Sequence, residues 1–196
     1  MKSLAVEHFI DSKLFEALKK VIEKTKIESY LIGGVVRDIL LSKKEPKDID
    51  IVCIGSGIEI AKALKKELST SSEIQIFKNY GTAMFTWNKI VLEFVGARKE
   101  SYVKESRNPS IEIGSLEDDQ NRRDFTVNSL AISLNSSNYG ELIDPFNGLD
   151  DLKKRILKTP LDPNKTFSDD PLRMMRAIRF ATQLNFTIEK KSFESI

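Results

Sequence analysis

Apolar residues recur along the chain with two periods, and the places where one period gives way to the other outline its elements. Leu14, Phe15, Leu18, Val21 and Ile22 keep helical spacing behind the capping pair Asp11-Ser12, which predicts an opening amphipathic helix whose work is packing. Tyr30, Leu31 and Ile32 form a short apolar strand that ends at the pair Gly33-Gly34. Residues 35–41 return to helical spacing and 42–47 make a polar turn. Asp48-Ile49-Asp50-Ile51-Val52 then alternates acid and hydrocarbon as a half-buried strand does. After the turn Gly55-Ser56-Gly57, residues 58–68 predict a further helix with Ile60, Ala61, Leu64 and Leu68 inward. Strand-like runs follow at 74–77, 83–87 and 90–95, the last two joined by Asn88-Lys89 as a tight hairpin. Strands that hairpin after a helical crossover predict a mixed sheet flanked by helices, an α/β (α+β) fold.

Beyond the hairpin the pattern weakens. Residues 98–119 are charged, contain Pro109 and Gly114 and show no period, so a loop over a substrate is expected there. The stretch 121–131 passes from charged to apolar within four residues. Phe125, Val127 and Leu130 are expected in the core, with Arg122 to Asn128 at an exposed start. Asp144-Pro145-Phe146-Asn147-Gly148 is turn chemistry and 149–157 is basic and helical, so a boundary is placed here: one domain over 1–140, the start of a helical one over 141–196. Farther on, Pro171 suits a first helical position and Asp170 its cap. Arg173, Arg176 and Arg179 follow at steps of three, each about 60° farther round a helix. They predict a slanting row of guanidinium groups over an apolar underside of Leu172, Met175, Ala177, Ile178 and Phe180.

Composition narrows the function classes. The 31 basic and 29 acidic residues nearly cancel, yet residues 152–180 hold eight Lys or Arg against three Asp, an excess that either faces a polyanion or solvates a helix surface. The single cysteine, Cys53, rules out an intrachain disulfide and fits a reducing compartment; following Ile51-Val52, it reads as core filler. The start lacks a signal peptide's apolar core and no run suits a membrane span, so a cytoplasmic protein is expected. The one histidine, His8, is expected at the surface, which argues against histidine catalysis and zinc.

The candidate chemistry concerns phosphate. Gly33-Gly34 lets the backbone turn sharply and approach a ligand at a helix start that favours an anion. Asp48 and Asp50 share a strand face with Cα atoms roughly 6–7 Å apart, and such hard oxygen donors suit Mg²⁺. Glu93, an acid in the apolar run 90–95, is either a third carboxylate beside them or an outward residue of an alternating strand. Arg122-Arg123 beside Asp124 either grips phosphate oxygens or is a salt-bridged helix entry. Asp170 and Arg173 set an acceptor beside a donor.

Taken together, these stretches resemble the class II tRNA nucleotidyltransferases (CCA-adding enzymes) and their bacterial poly(A) polymerase relatives, of the polymerase β-like nucleotidyltransferase superfamily. Gly33-Gly34-Val35-Val36-Arg37-Asp38 with Asp48-Ile49-Asp50 resembles the catalytic motif, and 122–131 the ribose-contacting element. Residues 144–152 resemble the hinge between head and neck, and 169–180 the base-recognition helix. The resemblance implies a head domain followed by the start of an all-helical neck, with Asp48 and Asp50 holding two Mg²⁺ ions. Gly34 and Arg37 would contact phosphates and Arg123 the nucleotide near its sugar, with Gly33, Asp124 and Asn128 as further nucleotide-binding residues. Asp170 and Arg173 would read the Watson–Crick edge that C and A share, with Arg176 and Arg179 supporting the triphosphate or bracing that pair. CTP and ATP are the implied substrates and a tRNA 3′ end the acceptor. The alternatives are A addition alone, poly(A) synthesis, or a non-catalytic nucleotide- or RNA-binding module. The recognition motif begins with Asp169 where the family has Glu, and the family continues for roughly as much again, which implies an N-terminal fragment.

Overall fold

The computed structural model describes residues 6, 9–10, 12–42, 46–78, 81–101 and 110–196. The chain divides into two compact units, one of residues 1–97 and 131–143, the other of residues 98–130 and 144–196.

The first unit is built on a seven-stranded mixed sheet. Helix α1 (Lys13–Thr25) buries the predicted stripe Leu14, Phe15, Leu18, Val21 and Ile22. Strand β1 (Ser29–Ile32) leads through Gly33 into α2 (Gly34–Leu40), and β2 (Asp48–Cys53) is followed by α3 (Gly57–Glu67). Next come β3 (Gln75–Phe77), β4 (Thr82–Trp87) and β5 (Ile90–Gly96), and, after the excursion into the second unit, β8 (Ala131–Ser133) and β9 (Leu142–Ile143). The sheet order is β3-β4-β5-β2-β1-β8-β9, and within it only β2 and β5 run parallel. The β4–β5 hairpin closes on Asn88 (φ 48°) and Lys89 (φ 67°), both left-handed, the two-residue geometry whose twist matches the strands. Its core side is set by Phe85 and Phe94, stacked with ring centroids 5.9 Å apart.

Packing fixes the register. Ile49 pairs with Leu92 and Ile51 with Phe94, all fully buried, and α3 covers this part of the sheet with Ile60, Ala61 and Leu64. The helix comes so close that a Cβ on Gly57 would stand 2.7 Å from the Phe94 carbonyl oxygen. Cys53, opposite Ser29, is wholly buried, and burial pushes its thiol up to about 12, so it is the inert filler expected.

The second unit begins with an antiparallel pair, β6 (Arg98–Ser101) and β7 (Ser110–Ile113), then α4 (Leu116–Asn121) and a 3-10 turn (Thr126–Asn128). The predicted loop over 98–119 is therefore partly regular, while 102–109 lies outside the described residues, as do His8 and 43–45 of the polar turn. The periodicity was hidden because each strand is four residues long. The helix was hidden because its signal is a cap: Ser115 and Asp118 form a reciprocal capping box. The unit continues through α5 (Gly148–Lys154), β10 (Ile156–Leu157), α6 (Pro163–Asp169), α7 (Leu172–Leu184), β11 (Thr187–Ile188) and α8 (Lys190–Glu194). Asp144 caps α5 by accepting from the Gly148 and Leu149 N–H groups at 2.7 and 2.9 Å. The helix predicted over 149–157 stops earlier, at left-handed Arg155 (φ 56°), and the chain enters β10, parallel to β11.

Two further expectations are corrected. Arg122 to Asn128 is not an exposed start: Asp124 and Asn128 are buried with Phe125, which meets Phe180 edge to face at 6.0 Å between centroids. On α7 the buried stripe is Arg173, Ala177 and Phe180, spaced i, i+4, i+7, whereas Leu172, Met175 and Ile178 are 47%, 65% and 51% exposed. Among the described residues no helix is long and apolar enough to cross a membrane.

Because a methyl group at position 57 meets backbone, which cannot swing aside, Gly57→Ala is expected to destabilise the fold by about 1–3 kcal/mol despite its small gain in helix propensity. Urea denaturation measures this; wild-type stability would mean that α3 can lift from β5 without cost.

Candidate active site

In the first unit the diglycine turn is as predicted. Gly33 takes φ 85°, ψ −140°, a conformation closed to residues with a Cβ, and this aims β1 straight into α2. Arg37, one turn into that helix, is buried rather than extended into solvent. Its Nε and Nη2 donate to the two oxygens of Asp38 at 2.9 and 3.0 Å, and a Cβ on Gly34 would lie 3.4 Å from Nη2. The guanidinium is thus folded back beneath the glycine turn with its orientation set by its neighbour in sequence.

On β2, Asp48 is exposed and Asp50 half-buried, while Ile49 and Ile51 between them are in the core. The two acids therefore share the face of the strand opposite α3. The parallel ladder pairs Asp50 with Glu93, and paired residues of neighbouring strands point to one face, so Glu93 stands on that face too. Among the described residues no group of three or more His, Cys, Asp or Glu is gathered closely enough to enclose a metal ion. Two carboxylates on one face nevertheless fit a Mg²⁺ site of the open kind, in which substrate phosphates and water complete the shell.

In the second unit the arginines are organised by acids. Asp119, on the last turn of α4, has no exposed surface. Its Oδ1 accepts from Arg122, with Nε at 2.9 Å, and its Oδ2 from Arg123, with Nε at 3.0 Å and Nη2 at 2.9 Å. Arg123 also donates through Nη1 to the Asn128 carbonyl at 3.4 Å. Burial works to raise the pKa of Asp119, but the charges of Arg123 and Arg122 and their hydrogen bonds outweigh it and hold the carboxyl below the usual carboxylate range. The arginine pair is therefore braced by an acid three and four residues upstream, not by the adjacent Asp124.

Asp124 has other partners: Oδ1 accepts from the Phe125 N–H (2.9 Å) and Asn128 Nδ2 (3.0 Å), and Oδ2 from Arg176 Nε (2.7 Å). Arg176 and Arg179 both lie over the Phe180 ring, 5.2 and 4.7 Å from its centroid. Arg173 is buried and donates to the Thr166 carbonyl at 3.4 Å. Asp170 caps α7, its Oδ1 accepting from the Leu172 N–H at 3.1 Å. The arginine row of α7 exists, therefore, but each member is held differently. Asp119 and Asp38 are the residues the sequence reading missed as arginine partners, and for Asp119 the signal was present in its i+3 and i+4 spacing to the arginines.

A mixed sheet that offers paired acids beside a diglycine turn, joined in sequence to acid-braced arginines, is the class of domain that the chain presents. Known proteins narrow the class. Residues 29–158 match the Poly A polymerase head domain. The A-adding tRNA nucleotidyltransferase of Aquifex aeolicus is 44% identical over 166 residues, 85% of this chain and 20% of that protein. The CCA-adding enzyme of Levilactobacillus brevis is 38% identical over 188 residues, 94% of this chain and 45% of that enzyme. A crystal structure of a tRNA nucleotidyltransferase complexed with a primer tRNA and an incoming ATP analogue superposes with a TM-score of 0.77 at 38% identity, over 91% of this chain and 48% of that one. The chain belongs to the Poly A polymerase head-domain family, in company with tRNA nucleotidyltransferases. It spans less than half the length of these relatives.

The buried Asp119 has a pH signature. Its pKa in the folded chain lies below that of the unfolded chain, so its stabilisation is complete above the unfolded value of about 3.9 and is lost as pH falls through the lower folded value. Unfolding free energies measured from about pH 6 down to about pH 2 are expected to fall more steeply for the wild type than for Asp119→Asn; parallel curves would contradict the assignment.

Proposed function

We propose that this chain is the catalytic part of a template-independent RNA nucleotidyltransferase that adds CMP and AMP from CTP and ATP to the 3′ end of tRNA, in the cytoplasm. Residues 1–140 are read as its head and 141–196 as the start of its neck. The observation that carries the proposal is the register of β2 against β5, which sets Asp48, Asp50 and Glu93 on one face opposite the packed one.

In this reading Asp48 and Asp50 hold Mg²⁺, with Glu93 as a further oxygen donor on the same face. Mg²⁺ held there supplies charge neutralisation at the phosphates and activation of the RNA 3′ hydroxyl. The hydroxyl gives up its proton to solvent as its oxygen bonds to the α-phosphorus of the nucleotide, the bond to the β-phosphate oxygen breaks, and pyrophosphate leaves. Gly33, Gly34 and Arg37 seat the triphosphate, and Arg123, Asp124 and Asn128 act near the sugar, Arg123 by contact. Asp170 accepts from the exocyclic amine of C or A and Arg173 donates to the adjacent ring nitrogen, two features U and G lack at those positions. Arg176 and Arg179, already stacked on Phe180, brace that pair. A second reading, addition of A alone, is favoured by the 44% identity to an A-adding relative.

Incubating the chain with labelled NTPs and tRNA ending either before or after its CC separates these readings. CMP followed by AMP on the shorter tRNA supports CCA addition. AMP only on the CC-ended tRNA supports A addition, and a long run of A a poly(A) polymerase. Nucleotide binding without incorporation supports a binding module. Asp50→Asn is expected to cut incorporation roughly 10²- to 10³-fold, the size of loss typical of removing one electrostatic stabiliser, with unchanged folding; retained activity would sink the assignment. Arg173→Ala is expected to narrow the preference for CTP and ATP over UTP and GTP by about tenfold, and Arg37→Ala to raise KM for all four alike. Steady-state kinetics with each NTP compares them, and equal effects from both variants would contradict the division of roles.

A further inference from the structure

Among the charged groups outside the roles above, Asp119 is the one whose surroundings demand explanation. A carboxylate with no exposed surface is costly unless fully paired, and even a well-paired buried ionic cluster is often no more stable than the hydrocarbon that could replace it. Stability is therefore a poor account of why an acid stands here. Geometry is a better one. Each oxygen of Asp119 takes one guanidinium along its Nε edge, so the two adjacent arginines are locked side by side although their charges repel. Arg123 is then fixed a second time by the Asn128 carbonyl on its Nη1. The guanidinium donates through Nε and Nη1 and holds Nη2 at ion-pair distance, 2.9 Å, from Asp119, on a side chain that is 19% exposed. A guanidinium frozen in advance avoids the loss of rotamer freedom that a mobile one incurs on binding.

We propose that Asp119 is a positioning residue for nucleotide binding: its buried carboxylate fixes the Arg123 guanidinium in the orientation in which it meets the nucleotide. This rests on the reading above that Arg123 contacts the nucleotide, and the test separates the two.

Calorimetric titration of the 196-residue chain with CTP and Mg²⁺ is made for the wild type, Asp119→Asn, Arg123→Ala and the double variant, with thermal unfolding of each sample. Arg123→Ala is expected to weaken CTP binding about tenfold and Asp119→Asn about fivefold. The double variant is expected to bind no more weakly than Arg123→Ala alone, because Asp119 acts through Arg123; a merely structural residue would subtract its full effect in either background. An undiminished effect of Asp119→Asn beside Arg123→Ala, or unchanged affinity in folded Asp119→Asn, overturns the proposal. Should Asp119→Asn not fold, Arg123→Lys decides. It keeps the charge but cannot span Asp119 and the Asn128 carbonyl with one planar fork, and it is expected to lose about as much affinity as Arg123→Ala; wild-type affinity overturns the proposal. Wild-type affinity in Arg123→Ala, or no CTP binding by the wild type, removes the underlying reading and the proposal with it.

Discussion

The parallel ladder between β2 and β5 is the contact on which the first unit turns. A strand has a period of two, so a slip of one residue would carry Ile49 and Ile51 to the outer face and drive Asp48 and Asp50 beneath α3. That alternative is forbidden by packing alone: α3 sits so near β5 that its first residue has no room for a Cβ, and the pairs Ile49–Leu92 and Ile51–Phe94 are fully buried below it. The acids owe their common face to the hydrocarbon between them. Their placement is a by-product of core formation and needs no polar contact of its own to be unique.

The arginines are placed by the opposite means. A guanidinium on a flexible stem gains no orientation from apolar packing, so each one proposed here to touch the nucleotide's phosphates or sugar is tied to an acid: Arg37 to Asp38, Arg123 to Asp119. Arg176 is held the same way by Asp124. The acids are themselves seated by elements with little choice of conformation. Asp38 follows Arg37 on a helix whose entry Gly33 defines, Asp119 rides a helix closed by a capping box, and Asp124 is fixed by the Phe125 N–H and Asn128. Two mechanisms thus divide the labour, with apolar register placing anions on the sheet and carboxylates placing cations on the helices and turns.

This division explains what was legible in the chain. Elements of the first unit could be read because burial imposes a period: the hairpin at Asn88-Lys89 and the Asp48–Asp50 alternation took their predicted form, as did the helix with Ile60, Ala61 and Leu64 inward, except that Leu68 is its half-buried C-cap. Glu93 was ambiguous because strand neighbours are a property of the sheet, which one strand's residues do not contain; the ladder decides its face. The second unit was less legible since its strands are too short for a period and its helices begin at caps. The acid beside the paired arginines was misassigned because nearness in sequence favours Asp124, whereas nearness on a helix favours Asp119, one turn back.

The orientation of α7 shows where such reading reaches its limit. Arg173, Arg176 and Arg179 form a row at steps of three, and so do Leu172, Met175 and Ile178; the two rows drift round the helix together, and hydrophobicity alone would turn the second inward. The structure turns it outward. The buried stripe at 173, 177 and 180 starts with an arginine, and what makes this tolerable is its polar lining. Thr166 offers a carbonyl to Arg173, Asp124 takes Arg176, and Phe180 presents a ring face to Arg176 and Arg179 while its edge contact with Phe125 keeps that ring in place. A helix that turned its greasiest face inside would withdraw Arg173 from the Thr166 carbonyl and Arg176 from Oδ2 of the buried Asp124, and a buried acceptor that loses its donor is costly. The choice of face is therefore made by the partners waiting on the neighbouring elements, and those lie 7 to 52 residues away in the chain.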